Sequence, residues 1–264
     1  MAHGSRDPRT LETVRTLLDG VRALRPGLPV RLGHIELNEP LLPEALATLA
    51  TTAPAPAVLV PLLLSRGHHV RHDIPTAAAA TPLPTLVAAP LGPHPLLLDV
   101  RHSRLLDAGW PVAPSDADRR RTGVVLAAAG SRDPDSAVDT GRSAALLADR
   151  LGVPVVPAYA AAAAPTVPAA VRALAARGRD RVAVASYFTA PGRFHTESAA
   201  ATTWIAAAPL GAHPAMVRLV LHRYDEALTR AATPGEPAAR PGSRLRLAKS
   251  VCTNVALVSI GRRS

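Results

Sequence analysis

The feature that most restricts the fold is an internal duplication. His3-Gly4-Ser5-Arg6-Asp7-Pro8 returns as Ala129-Gly130-Ser131-Arg132-Asp133-Pro134. Pro90-Leu91-Gly92-Pro93-His94-Pro95 returns as Pro209-Leu210-Gly211-Ala212-His213-Pro214. Two motifs recurring in the same order at similar offsets mark a repeat, and its period is far longer than that of a solenoid, so each copy should be a small domain. The copies differ in one chemically telling place: His3 of the first is Ala129 in the second.

Each copy alternates apolar runs of strand length with helical patterns, as parallel α/β sheets do. Asp7-Pro8 opens a helix through Leu24, with aspartate to cap it and proline at its first position. Strands are expected at Val30–Leu37, Ala57–Leu64 and Leu86–Ala89, with a short helix from Pro43 and another after His94-Pro95. The second copy predicts strands at Val124–Ala128, Val153–Tyr159 and Val182–Phe188 and a helix over Ala137–Leu151. The fold class expected is therefore α/β: two similar domains, each a parallel sheet flanked by helices, facing across a cleft. Their limits are read as 1–112 and 122–230, with Pro111–Arg121 as linker and 231–264 as a poorly ordered basic tail, rich in Pro, Gly and Arg. The first copy lacks a counterpart of Gly123–Ala128 before its turn. Either its first strand is missing from the beginning of the chain, or the domain tolerates the loss of a central strand. The first alternative is the expectation, and with it a less stable first domain.

The net charge of the 264 residues is +10, carried almost entirely by arginine. This suits either a GC-rich coding bias or a polyanionic partner. Aromatics make up only 3%, too few to interleave with the basic residues and stack on bases, so nucleic acid is not the expected partner. Arginine forks match carboxylates, which favours a small molecule bearing many of them. The single cysteine, Cys252, rules out an internal disulfide and a Cys-rich zinc or iron–sulfur site, and fits a reducing, cytoplasmic setting. The longest uncharged stretch, from Arg150 to Arg172, is broken by four prolines and suits a strand and loop better than a membrane helix.

Three polar side chains fall at the ends of successive predicted strands of the first copy: His3, Glu36 and His69. Ligands of open parallel sheets bind at that edge. Two imidazoles and a carboxylate suit a first-row divalent metal with open positions. His68 and His72 share the loop with His69, whose blander reading is a solvated tip in which Asp73 caps the next helix. His34 reads as a sheet histidine, and His94 and His213, present in both copies, as architectural. Gly4-Ser5 before a helix is a weak phosphate cradle without a Walker lysine.

These motifs resemble a known family. His3-Gly4-Ser5-Arg6, Glu36-Leu37-Asn38-Glu39-Pro40, and the leucine run Leu62–Leu64 followed by Gly67 and His69-Val70-Arg71-His72-Asp73-Ile74-Pro75 resemble the class II sirohydrochlorin chelatases of sirohaem and cobalamin synthesis. The long members of that family are tandem duplications. The resemblance implies insertion of a divalent metal (iron, cobalt or nickel) into a tetrapyrrole, the metal being a substrate, with no nucleotide and no iron–sulfur cluster. It implies His3 and His69 as catalytic groups, His3, Glu36 and His69 as metal ligands, and Ser5, Arg6, Arg66, Arg71 and Arg193 as contacts to the carboxylate-bearing substrate. The expected protein is a cytoplasmic monomer that meets neither membrane nor nucleic acid. Its second half would have no metal site, and Tyr187, Phe188, Arg193, Phe194 and His195 would either cover the substrate or pack the interface between the domains. A metal- or tetrapyrrole-binding protein without turnover is the alternative.

Overall fold

The computed structural model describes residues 7–52 and 55–232, and the backbone of 254–259. The first half opens with α1 (Pro8–Leu24), β1 (Val30–His34), α2 (Leu42–Thr52) and β2 (Ala57–Pro61). A five-residue π-helical turn at His69–Asp73 leads into α3 (Ile74–Ala80), followed by β3 (Thr85–Val87) and α4 (Pro95–Asp107). A short helix, α5 (Asp116–Arg121), lies within the predicted linker. Ser115 caps it, and its acidic first turn and three-arginine last turn complement the helix dipole.

The second half repeats the plan with β4 (Thr122–Ala128), α6 (Pro134–Leu151), β5 (Val155–Tyr159), α7 (Val167–Ala175), β6 (Arg181–Tyr187), α8 (Arg193–Ala199) and α9 (Pro214–Ala232). The strand pairings are parallel, and the second sheet runs β5-β4-β6. Its middle strand β4 is buried along its whole length, as a strand covered on both faces must be.

The repeated motifs occupy equivalent places. The Asp7 carboxylate accepts the Arg9 amide at 3.0 Å and Asp133 that of Asp135 at 3.0 Å, each behind a proline that starts the helix. His94 and His213 do the same for α4 and α9, their Nδ1 atoms accepting from Leu96 and Ala215 at 3.1 Å each. The architectural reading of both histidines therefore holds. In the same motif, a Cβ on Gly92 would collide with the Leu64 carbonyl and the Tyr187 hydroxyl, which explains why the turn needs glycine.

The halves exchange their last helices. α4 packs on α6 and β6 of the second half, while α9 crosses to cover α1, β2 and β3 of the first. One apolar cluster consequently runs through both halves, from Leu17, Leu59 and Leu97 to Leu126, Met216 and Leu219. Polar links reinforce it. Arg25 at the end of α1 pairs with Asp225 of α9 at 2.6 Å. Tyr187 is buried and donates its hydroxyl to the Leu64 carbonyl at 2.7 Å. Of the two roles open to it, cover over the substrate or interface packing, Tyr187 at the end of β6 takes the interface.

The reading of 231–264 as a poorly ordered tail also needs correction. Ala231 and Ala232 belong to α9, and Asn254–Ser259 form β7, which runs parallel between β1 and β2 in a sheet ordered β1-β7-β2-β3. The Pro-, Gly- and Arg-rich composition up to Lys249 obscured a short apolar run, Val255-Ala256-Leu257-Val258, of buried-strand type. Strand β1 is shorter than predicted because its chain turns after His34 into the Glu36 loop.

One buried and four half-buried histidines make the fold acid-sensitive. Burial lowers the pKa of His34, His94, His102, His195 and His213 below the ordinary 6.5. In the unfolded chain these rings take up protons as the pH falls through that value, while in the fold they resist. The stability they contribute is thus present above pH 6.5 and lost below it. Protonation of His94 or His213 would also remove the acceptor that caps α4 or α9. Urea midpoints are expected to fall between about pH 7.5 and about pH 5.5. Equal midpoints would show that these rings are not held neutral.

Candidate functional site

The carboxyl edge of the first sheet carries the candidate chemistry. β1 delivers the chain to a loop that holds Glu36. His34 at the strand end is buried, and its amide donates to the Pro40 carbonyl at 3.0 Å while its Nδ1 lies 3.2 Å from the same oxygen. Burial keeps this ring neutral, so it pins the loop, as expected of a sheet histidine. Leu37 follows Glu36 in the left-handed region, at φ 67°, and turns the chain back sharply.

β2 delivers the other side of the site. After Leu64 the chain passes through Gly67 and winds into the π-helical turn His69–Asp73. Within that turn His69 Nδ1 bonds the Asp73 carboxylate across one i,i+4 step. His68 approaches the same carboxylate at 3.8 Å, and its ring lies 4.7 Å from that of His72. Asp73 was expected to cap α3. Its own backbone is helical and it makes no capping bond, so the carboxylate is committed to His69 instead. Sequence reasoning missed this pairing, although the His-x-x-x-Asp spacing on a helical segment signals it.

The arginines of the loop also have partners. Arg66 grips Asp139 of α6 with its side chain at 2.7 Å and with its backbone amide at 2.9 Å. Arg71 pairs with Asp135 and lies 3.4 Å from Asp133. Ser65 and Ser136 share a hydrogen bond of 3.0 Å. The His69 loop is thus bolted to the first two turns of α6, and three aspartates meet two arginines across the halves. The aspartates were not singled out from sequence. The Asp-Pro-Asp opening of α6 was visible, but which basic segment faces it is a tertiary fact. Arg193 lies on α8, exposed, with its guanidinium 5.1 Å from the Phe194 ring and 3.9 Å from Glu197. Phe188 and His195 stack edge to face at 6.2 Å. His3, Ser5 and Arg6 lie outside the described residues. Among the described residues, no group of three His, Cys, Asp or Glu side chains is placed to hold a metal.

The second half keeps the backbone of the site without its chemistry. Ala162 has φ 61°, matching Leu37, and the Tyr159 amide donates to the Pro165 carbonyl at 2.9 Å as His34 does to that of Pro40. Glu36 therefore corresponds to Ala161. Aligning Gly67 with Gly192 by the same offset sets Phe194 against His69. With Ala129 for His3, every candidate ligand has a counterpart that cannot bind metal.

Comparison with known proteins agrees with this plan. The CbiX family model matches the chain twice, over residues 1–108 and 123–227. A sirohydrochlorin cobaltochelatase of Methanosarcina acetivorans is 30% identical over 120 residues, covering 41% of this chain and 92% of that protein. A sirohydrochlorin ferrochelatase of Bacillus subtilis is 28% identical over 172 residues, covering 62% of this chain and 63% of that one. The solved structure of SirB from Bacillus subtilis with Fe3+ superimposes with a TM-score of 0.69 at 24% identity, covering 86% of this chain and 92% of the other. No helix among the described residues is long and apolar enough to cross a membrane. With two matches that between them take in most of its length, each coinciding with one structural repeat, the chain belongs to the CbiX family.

Proposed function

We propose that the protein is a sirohydrochlorin chelatase, which inserts divalent iron or cobalt into the tetrapyrrole as a single-site enzyme. The observation that carries this reading, beside family membership, is the His69–Asp73 pair at the carboxyl edge of the first sheet. Metal insertion requires two pyrrole N–H protons to leave as the metal enters. With its Nδ1 proton donated to Asp73, His69 would turn the lone pair of Nε2 to the metal or to a leaving proton. Glu36 and His3 are assigned as the other two metal-facing groups, the carboxylate offsetting part of the incoming charge.

Arg193 is assigned to a substrate carboxylate. It is exposed, and its neighbour Glu197 is a distant and weakly competing partner. Ser5 and Arg6 are assigned the same role from the family motif. For Arg66 and Arg71 the inter-half ion pairs support a different first duty, that of holding the His69 loop on α6. A substrate carboxylate would engage Arg71 by displacing Asp135. The reading further takes the chain as a cytoplasmic monomer whose halves supply within one chain a paired scaffold with one set of ligands.

The test is optical. Catalytic amounts of protein are mixed with sirohydrochlorin and each of Fe2+, Co2+ and Ni2+, and the absorption change of metal insertion is followed. Many turnovers per chain with iron or cobalt are expected. Tight binding of metal or tetrapyrrole that never exceeds one equivalent per chain would make it a carrier instead.

A further inference from the structure

The slot between β1 and β2 is filled by the far end of the chain, and its register is informative. β7 sets Val255 against Val30 and Ser259 against His34 on one side, and Asn254 against Ala57 and Val258 against Pro61 on the other. In the second half β4 sets Val124 against Val155, Ala128 against Tyr159 and Gly123 against Val182. The offset that carries Glu36 to Ala161 also carries Val30 to Val155, His34 to Tyr159 and Ala57 to Val182. Both neighbours thus give the same answer: Val255 stands where Val124 stands, Ser259 where Ala128 stands, and Asn254 where Gly123 stands. The sequence agrees, since Gly261 follows the end of β7 at the distance at which Gly130 follows β4. A strand docked by chance against an open slot would have no reason to match the internal copy residue for residue on both sides.

We propose that Asn254–Ser259 serves as the central strand of the first half, donated by a segment of the same chain that follows the second half, and that it sets the spacing of the site. β1 and β2 carry the Glu36 and His69 loops, and each pairs with β7 rather than with the other. Two strand spacings, about 9.6 Å, therefore separate them. If β7 left, two rows of unpaired backbone groups would face each other across the gap. Direct pairing of β1 with β2 would draw the loops together by about one spacing, ~4.8 Å, and a misplacement of about 1 Å is enough to spoil a reacting geometry. The first sheet thus depends on a segment more than two hundred residues away in sequence from the strand β1 that it completes.

Hydrogen exchange read by mass spectrometry on the full chain tests this directly. Amides of Val255–Ser259 are expected to exchange as slowly as those of β4, and exchange at the rate of an unstructured peptide would overturn the proposal. A central strand uses its N–H groups alternately toward both neighbours, so proline within it removes a ladder bond. Ala256→Pro and Leu257→Pro are expected to raise exchange in β1 and β2 at least about tenfold while β4, β5 and β6 stay protected, with Leu257→Val as the control. Unchanged protection of β1 and β2 in both proline variants would refute it, as would slow exchange of β7 in a protein that light scattering shows to be a dimer, since the strand would then come from a second copy. None of these readouts depends on enzymatic activity.

Discussion

Replacing His69 with alanine is expected to slow metal insertion by about 10²–10⁴-fold, the range for loss of a positioned proton acceptor. The expectation rests on placement. His69 sits at the end of the loop that leaves β2, with Nδ1 committed to Asp73 and the π-helical turn holding its backbone. Its side chain is only partly buried, so truncation leaves no large cavity and should barely alter the fold. Asp73→Asn separates the two duties of the pair. An amide can still reach the ring but no longer selects the tautomer, so the variant should keep tetrapyrrole affinity and lose turnover. His68→Ala and His72→Ala, which alter the same loop but leave the His69 Nδ1–Asp73 bond in place, should retain most activity. Full activity in His69→Ala would place the acceptor elsewhere, whereas equal losses in all three histidine variants would indicate a loop that matters only for its charge or shape.

The second large effect concerns stability. Leu219 lies on α9 and is fully buried, but the helix belongs to the second repeat and covers the first. Leu219→Ala is expected to cost about 2–5 kcal/mol, as a buried leucine truncation with incomplete collapse does. Its location predicts more than the size. Both halves should lose stability together in one cooperative transition, because the exchanged helices tie two sheets to one core. Two resolved transitions, with only the second half shifted by the substitution, would show that the exchange carries little energy. The same arrangement argues against the sequence expectation that the first half is the weaker one on its own account.

What the sequence disclosed, and what it withheld, follow one physical line. Local signals were dependable: Asp7-Pro8 and Asp133-Pro134 start helices, the apolar runs at Ala57 and Val124 are buried strands, and His94 and His213 are caps. The positions of His69 and Glu36, though not their roles, were legible because each follows a strand in a chain where strand ends collect on one edge. Facts that depend on which distant segment lands where were not legible. Arg66 and Arg71 looked like free cations until α6 supplied three aspartates. Tyr187 suited a flat ring and the interface equally well until Leu64 claimed its hydroxyl. A strand between β1 and β2 was not legible, because Val255–Val258 lies behind a stretch whose composition advertised disorder. Periodicity names an element but carries no address.

The exchange of α4 and α9, together with the late position of β7, has a consequence for the chain while it is being made. The first repeat leaves the ribosome first, yet its sheet lacks its covering helix until Ala232 has been synthesised and its middle strand until Ser259 has followed. At translation rates of about 5–20 residues per second, β1 and β2 spend on the order of ten seconds or more as open, apolar edges after they emerge. The second repeat, whose middle strand β4 comes before its partners, can lay down its sheet in order. The sheet that carries the candidate ligands therefore waits for Ser259, and its half is the one that needs protection from its neighbours in the meantime.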